Sequence, residues 1–167
     1  FGIFDIPKEK YLFFNECFNE DGISNDIQIL DELAKVVGKN NIAIKMHPRS
    51  QKMKFSYCLH GYNIFSDKDT PWEIAPLSSE LDDKVLISIS SNAMWTPQII
   101  ANAKCWAISL ENVMKLSTRP HVRQNFHTYQ TFMSKVRTVV NKKHTTFFRP
   151  NSQLELSQIL QYIEGES

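Results

Sequence analysis

Apolar residues fall along this chain in short runs separated by amphipathic stretches and polar turns. Tyr11-Leu12-Phe13-Phe14, continued by Cys17-Phe18, is a compact aromatic run of the kind carried by a strand buried on both faces. After the polar turn Asn19-Glu20-Asp21-Gly22, the segment from Ser24 to Val37 spaces Ile27, Leu30, Leu33, Ala34 and Val37 three and four apart. That spacing predicts an amphipathic helix, with Ser24 or Asn25 as N-cap and Gly38 as its stop. Asn41 to Met46 predicts a second strand ending at His47-Pro48-Arg49, where Pro48 opposes regular pairing. Tyr62 to Phe65 reads as a short third strand, and Pro71 is placed to open a helix carrying Trp72, Glu73, Ile74 and Leu77. Lys84 to Ile89 is the clearest buried strand; it runs into Ser90-Ser91-Asn92 before a helix expected from about Ala93 to Asn102. Lys104 to Ile108 is a further strand.

Strand followed by helix, repeated several times, implies an α/β fold: a doubly wound parallel sheet with helices on both faces. The last third reads as helical. Val122, Phe126, Tyr129, Met133, Val136 and Val140 form one stripe, and Leu156, Ile159, Leu160 and Ile163 another, with Ser152 and Glu155 spaced as a capping box ahead of the second. Both stripes are read as packing faces.

Composition narrows the function classes. The 167 residues are 42% hydrophobic and 22% charged, enough for one globular domain spanning residues 1–167 with a real core. Lys plus Arg number 19 against 18 Asp plus Glu, so a net charge of +1 offers no polyanion footprint for nucleic acid and no general attraction to a membrane. Any phosphate must be held locally. No apolar run approaches the roughly 18 residues of a membrane span. Cys17, Cys58 and Cys105 lack disulfide or zinc spacing, which fits a reducing, cytoplasmic setting. The chain opens on Phe1 and runs quickly into a strand, as a part of a longer protein would.

In an open parallel sheet, ligands bind outside the carboxyl ends of the strands. Three polar clusters fall there: Glu20-Asp21-Gly22 after the first strand, His47-Pro48-Arg49 after the second, and Ser90-Ser91-Asn92 after the Val85 to Ile89 strand. The serine pair, between a buried strand and a helix, offers hydroxyls and backbone N–H groups to one phosphate; the plain alternative is an ordinary N-cap. His47, held at the rim by the following proline, is suited to donate to a leaving phosphate. Asp67-Lys68-Asp69 resembles a metal-binding triplet, but Lys68 within it favours a solvated turn. Arg119, His121, Arg123 and His127 make a basic stretch, read more readily as a solvated face than as a second anion site.

Lys45-Met46-His47-Pro48, followed about 40 residues later by Ser90-Ser91 at the end of an apolar strand, resembles the KxHP and SS motifs of bacterial sialyltransferases. The likeness is nearest to glycosyltransferase family 52 and its polysialyltransferase relatives. Glu20-Asp21-Gly22 resembles their acidic motif, and the stretch from about Tyr11 to Asn102 carries the similarity. Such enzymes have the GT-B fold of two Rossmann-like halves, and the chain resembles the half that holds the nucleotide sugar. The resemblance implies inverting, metal-independent transfer of sialic acid from CMP-sialic acid to a glycan hydroxyl in surface polysaccharide or lipooligosaccharide synthesis, with no cofactor. It implies Asp21, or Glu20 beside it, as general base. His47 would act as acid on the CMP phosphate, which Ser90 and Ser91 also hold. Lys45 would lie near the cytidine, Pro48 and Arg49 would line the same CMP-sugar site, and Glu73 would meet the ribose.

On this resemblance the partners are a nucleotide-sugar donor, a glycan acceptor and an acceptor-binding domain outside this chain. The whole enzyme would be cytoplasmic and at most peripheral to the bacterial inner membrane. The alternatives are a CDP-glycerol or CDP-ribitol phosphotransferase of the teichoic-acid type, or a nucleotide-binding module without turnover of its own. A dinucleotide-binding protein fits poorly, because no GxGxxG follows a strand and only five glycines are present.

Overall fold

The structure, a computed structural model, describes residues 6–16, 26–47, 50, 53–65, 72, 81–113, 120–142 and 146–166. Its centre is a six-stranded sheet built from β1 (Tyr11–Phe14), β2 (Ile42–Lys45), β3 (Asn63–Phe65), β4 (Val85–Ser88), β5 (Trp106–Ser109) and β6 (Phe147–Phe148). All pairs are parallel and the spatial order is β3-β2-β1-β4-β5-β6. The helices are α1 (Asp26–Val37), α2 (Met53–Leu59), α3 (Thr96–Ile100), α4 (Pro120–Val140) and α5 (Gln153–Gly165). This is a Rossmann-like α/β fold, as the alternation of elements implied.

The central strands are apolar on both faces because each face meets helices. Alternate residues Tyr11, Phe13, Ile42, Ile44, Val85 and Ile87 point to one side, where they pack with Leu30 and Leu33 of α1 and Leu156, Leu160 and Ile163 of α5. The intervening Leu12, Phe14, Ala43, Leu86, Ala107 and Phe147 point to the other, against Met94 and against Met133 and Val136 of α4. The period of two along each strand thus separates two cores across one sheet.

Several elements differ from the sequence expectation. Helix α2 lies in a stretch that gave no helical signal, because its periodicity is inverted: Phe55 and Leu59 are 72% and 70% exposed while Tyr57 is fully buried. The helix expected from about Ala93 to Asn102 is broken into a three-residue 3-10 turn, Asn92–Met94, and the five-residue α3. Pro97 explains the break, since its missing N–H and fixed φ suit the first turn of a new helix rather than the interior of a longer one. The last third is not wholly helical, for β6 adds a two-residue strand beside β5, too short to show alternation. The expected helix opening at Pro71 falls outside the described residues except for Trp72.

Two helix ends behave as their sequences indicate. Gly38, at φ +80°, donates its N–H to Ala34 O at 3.0 Å and ends α1. At α5, Ser152 Oγ accepts from the Glu155 N–H at 3.1 Å, while Glu155 Oε2 reaches back to Asn151 N at 2.8 Å, one residue before the cap. Ser152→Ala is expected to lower stability by about 1 kcal/mol, measured as an earlier urea midpoint with an unchanged slope.

Candidate functional site

Strand order reverses direction between β1 and β4, so the crevice beyond their carboxyl ends is the topological switch point where open α/β sheets bind ligands. Four segments border it in order: the second residue after β2, the two residues after β1, the turn after β4, and the residues after β5. His47, Asn15-Glu16, Ser90-Ser91 and Glu111 occupy these places. The sheet therefore brings His47 and the serine pair to one rim, on strands flanking β1 on either side. Two strand spacings separate them, roughly 10 Å.

His47 is half-buried, and its backbone N–H donates to Asn15 Oδ1 at 3.4 Å. Asn15, 3% exposed, also donates its own N–H to Lys45 O at 2.9 Å and its side-chain amide to Tyr57 Oη at 2.8 Å. One buried amide thus ties the end of β1 to the His47 corner and to α2. Beyond the histidine, Ser50 N donates to His47 O at 2.9 Å, closing the corner into a turn. Lys45 ends β2, half-buried, in register with Phe14 of β1 and Phe65 of β3.

The serine turn is organised by a residue the sequence did not single out. Glu16, 9% exposed, accepts at Oε1 from Ser88 Oγ at 2.7 Å and from the Ser90 N–H, and at Oε2 from Ser90 Oγ. Ser91 is the N-cap of the 3-10 turn, its Oγ accepting from the Ala93 N–H at 3.3 Å, and its own N–H points to Ser88 Oγ at 3.3 Å. The pair therefore divides: Ser90 directs both its donors at Glu16, and Ser91 caps. Beneath this turn Trp72, the residue before Glu73, donates its indole N–H to Ala93 O at 2.9 Å and meets the Phe14 ring edge-on at 4.6 Å.

Farther along the rim, Glu111 is 1% exposed and Oε1 accepts from both Nε and Nη2 of Arg149. Burial pushes the Glu111 carboxyl above its ordinary range, against the lowering effect of that guanidinium and of Ser109. A chain of amides starts from the neighbouring residue, with Gln130 Nε2 donating to Asn112 Oδ1 at 2.8 Å and Asn112 Nδ2 to Asn151 Oδ1 at 3.1 Å.

Of the sequence-selected residues, Lys45, His47, Ser90 and Ser91 lie at the rim. Glu20, Asp21, Pro48, Arg49, Glu73, the Asp67-Lys68-Asp69 triplet and Arg119 lie outside the described residues. In the basic stretch, His121 and Arg123 are on α4 and His127 is exposed there. Among the described residues no cluster of three His, Cys, Asp or Glu groups forms a metal site, and no helix is long and apolar enough to cross a membrane. Cys105 is buried, its thiol pushed up to about 12 by burial, and Cys58 is exposed and free. Asn15, Glu16 and Ser88 were the residues sequence reasoning missed; the signal was a polar pair interrupting the aromatic run from Tyr11 to Phe18, and a serine closing an otherwise apolar strand. Comparison with family models, with curated proteins and with solved structures finds no match for this chain.

Proposed function

We propose that this chain binds the donor nucleotide of a metal-independent sialyltransferase, as the nucleotide-sugar half of a two-domain enzyme that builds bacterial surface glycans. The observation that carries the reading is joint placement: the His47 corner and the Ser90-Ser91 turn, 43 residues apart in sequence, share the carboxyl rim at the switch point of a parallel sheet. That is where a nucleotide phosphate binds in such sheets, and the two segments are those whose motifs resemble the sialyltransferase pattern.

In this reading the acceptor hydroxyl attacks the anomeric carbon of sialic acid, and the bond from that carbon to the CMP phosphate oxygen breaks with its electron pair going to CMP. The acceptor proton passes to Asp21, or to Glu20. His47 and the serine donors meet the charge that grows on the departing phosphate, so they act mainly on the transition state. No metal ion is assigned a role. Lys45 is assigned to the cytidine, Glu73 to the ribose, and Pro48 and Arg49 to the same CMP-sugar site. The enzyme works in the cytoplasm on an acceptor presented at the inner membrane.

The test is calorimetric titration of the protein, with EDTA present, against CMP, CMP-sialic acid, CDP, UDP and NAD. CMP-selective binding is expected. His47→Ala should weaken it by about 1.5–3 kcal/mol, the range for a hydrogen bond to a charged group. An unchanged dissociation constant removes His47 from the site, and preference for CDP transfers the assignment to a teichoic-type phosphotransferase.

A further inference from the structure

The hydrogen bonds that Ser88 and Ser90 could offer a phosphate are directed at a carboxylate of the chain itself. Three donors converge on Glu16: Ser88 Oγ, the Ser90 N–H and Ser90 Oγ. Each carries a single proton, and Ser88 divides its own between Glu16 Oε1 at 2.7 Å and Phe14 O at 3.0 Å. Both Ser90 donors are directed at Glu16 and the Ser88 proton is already shared, so a phosphate at these donors competes with the Glu16 carboxylate. A carboxylate and a phosphate present the same chemistry to such donors, two anionic oxygens on one central atom, and they repel one another across a shared site.

The position of Glu16 makes this more than a local staple. It directly follows Asn15, which holds the His47 corner, and its carboxylate bridges the carboxyl ends of β1 and β4 at the switch point. It is buried to nine-tenths, as an anion in a formed oxyanion site would be.

We infer that Glu16 is an internal occupant of the anion site formed by Ser88 and Ser90, and that a ligand phosphate binds by displacing its carboxylate. The inference rests on the assignment of the serine turn as the phosphate site. It adds that the free protein holds the site closed. Apparent affinity is then the intrinsic affinity multiplied by the fraction of molecules with Glu16 swung out, and removing the carboxylate removes that factor.

The experiment titrates wild type, Glu16→Gln and Glu16→Ala with inorganic phosphate and with CMP, following each protein by circular dichroism and thermal unfolding. Both variants should bind both ligands more tightly, Ala by about tenfold or more and Gln by less, because the amide keeps an acceptor for the Ser90 N–H but loses the charge. Affinity that falls or stays within about twofold in a folded Glu16→Ala protein overturns the inference and leaves Glu16 a brace for the turn. If Glu16→Ala does not fold, Glu16→Gln decides by the same criterion. The outcomes separate the two claims. CMP binding that depends on His47 but ignores Glu16 keeps the nucleotide assignment and rejects the displacement. Phosphate binding gained in the variants without any CMP binding keeps the displacement and rejects the nucleotide. No binding by any of the three proteins rejects both.

Discussion

Replacing Arg149 with methionine is expected to destabilise the fold by about 3–5 kcal/mol, the cost of leaving a buried charge without its partner. The stem of the side chain is kept, so the loss isolates the guanidinium. Glu111 beneath it is 1% exposed, Oε1 takes both of its bonds from Arg149, and Oε2 has no hydrogen-bond partner among the described residues. Without Arg149 the carboxylate must stay charged in an apolar setting or take up a proton. The sign of the pH dependence follows. Burial already holds Glu111 above the ordinary value of 4.5, so the folded chain binds that proton more readily than the unfolded chain. The stability this contributes is present below about 4.5 and is lost as pH rises through the folded value. In Arg149→Met the folded value climbs further, so the deficit should be smallest in acid and largest at neutral pH. Urea unfolding of both proteins across that range measures it, and a uniform loss below about 1 kcal/mol would place the pair with ordinary surface ion pairs. Glu111→Leu combined with Arg149→Met should recover much of the loss, because it removes the orphaned charge.

Most of the scaffold was legible because parallel strands and amphipathic helices write different periods into sequence. The run from Tyr11 to Phe14 and the run from Val85 to Ile87 show no polar alternation because both faces of the sheet are covered, and the stripe from Ile27 to Val37 shows the helical period because only one face of α1 is covered. The elements that escaped notice are those where the period fails. Helix α2 shows Phe55 and Leu59 to solvent and anchors through Tyr57, so its pattern points the wrong way. Strand β6 has two residues and no period at all. The split between Met94 and Thr96 was signalled by Pro97, whose effect on a helix depends on whether a new first turn can start beneath it.

The rim was legible for a topological reason and its wiring was not. Polar residues after apolar strands must gather at one edge once the strands are parallel, which brings His47 and Ser90 together without any knowledge of their contacts. What each donor then bonds to is a property of three dimensions. Glu16 was concealed inside an apolar run, where Asn15-Glu16 read as an interruption of a strand; in the fold these two residues mark the strand's end and hold the two corners on either side of it. Ser90 and Ser91 look equivalent in sequence, yet one faces the buried carboxylate and the other caps a turn.

Phe13→Ala is expected to cost about 3–5 kcal/mol, a large fraction of the 5–15 kcal/mol typical of a domain. Phe13 is 1% exposed on the central strand β1, in register with Ile44 of β2 and Ile87 of β4, and packs in the core shared with α1 and α5. Truncation removes a ring from the middle of three strands and a helix layer, a place with little freedom to collapse into the void. Phe13→Leu keeps most of the apolar volume and should cost markedly less. Phe55→Ala supplies the contrast: the same chemical change at a ring 72% exposed should move stability by no more than about 0.5 kcal/mol. Because Asn15 and Glu16 directly follow β1, the CMP binding proposed above should fall in Phe13→Ala in proportion to its unfolded fraction and be kept in Phe55→Ala. Denaturant titration of the three variants measures the costs, and equal losses at Phe13 and Phe55 would contradict the central position of β1 on which the whole rim depends.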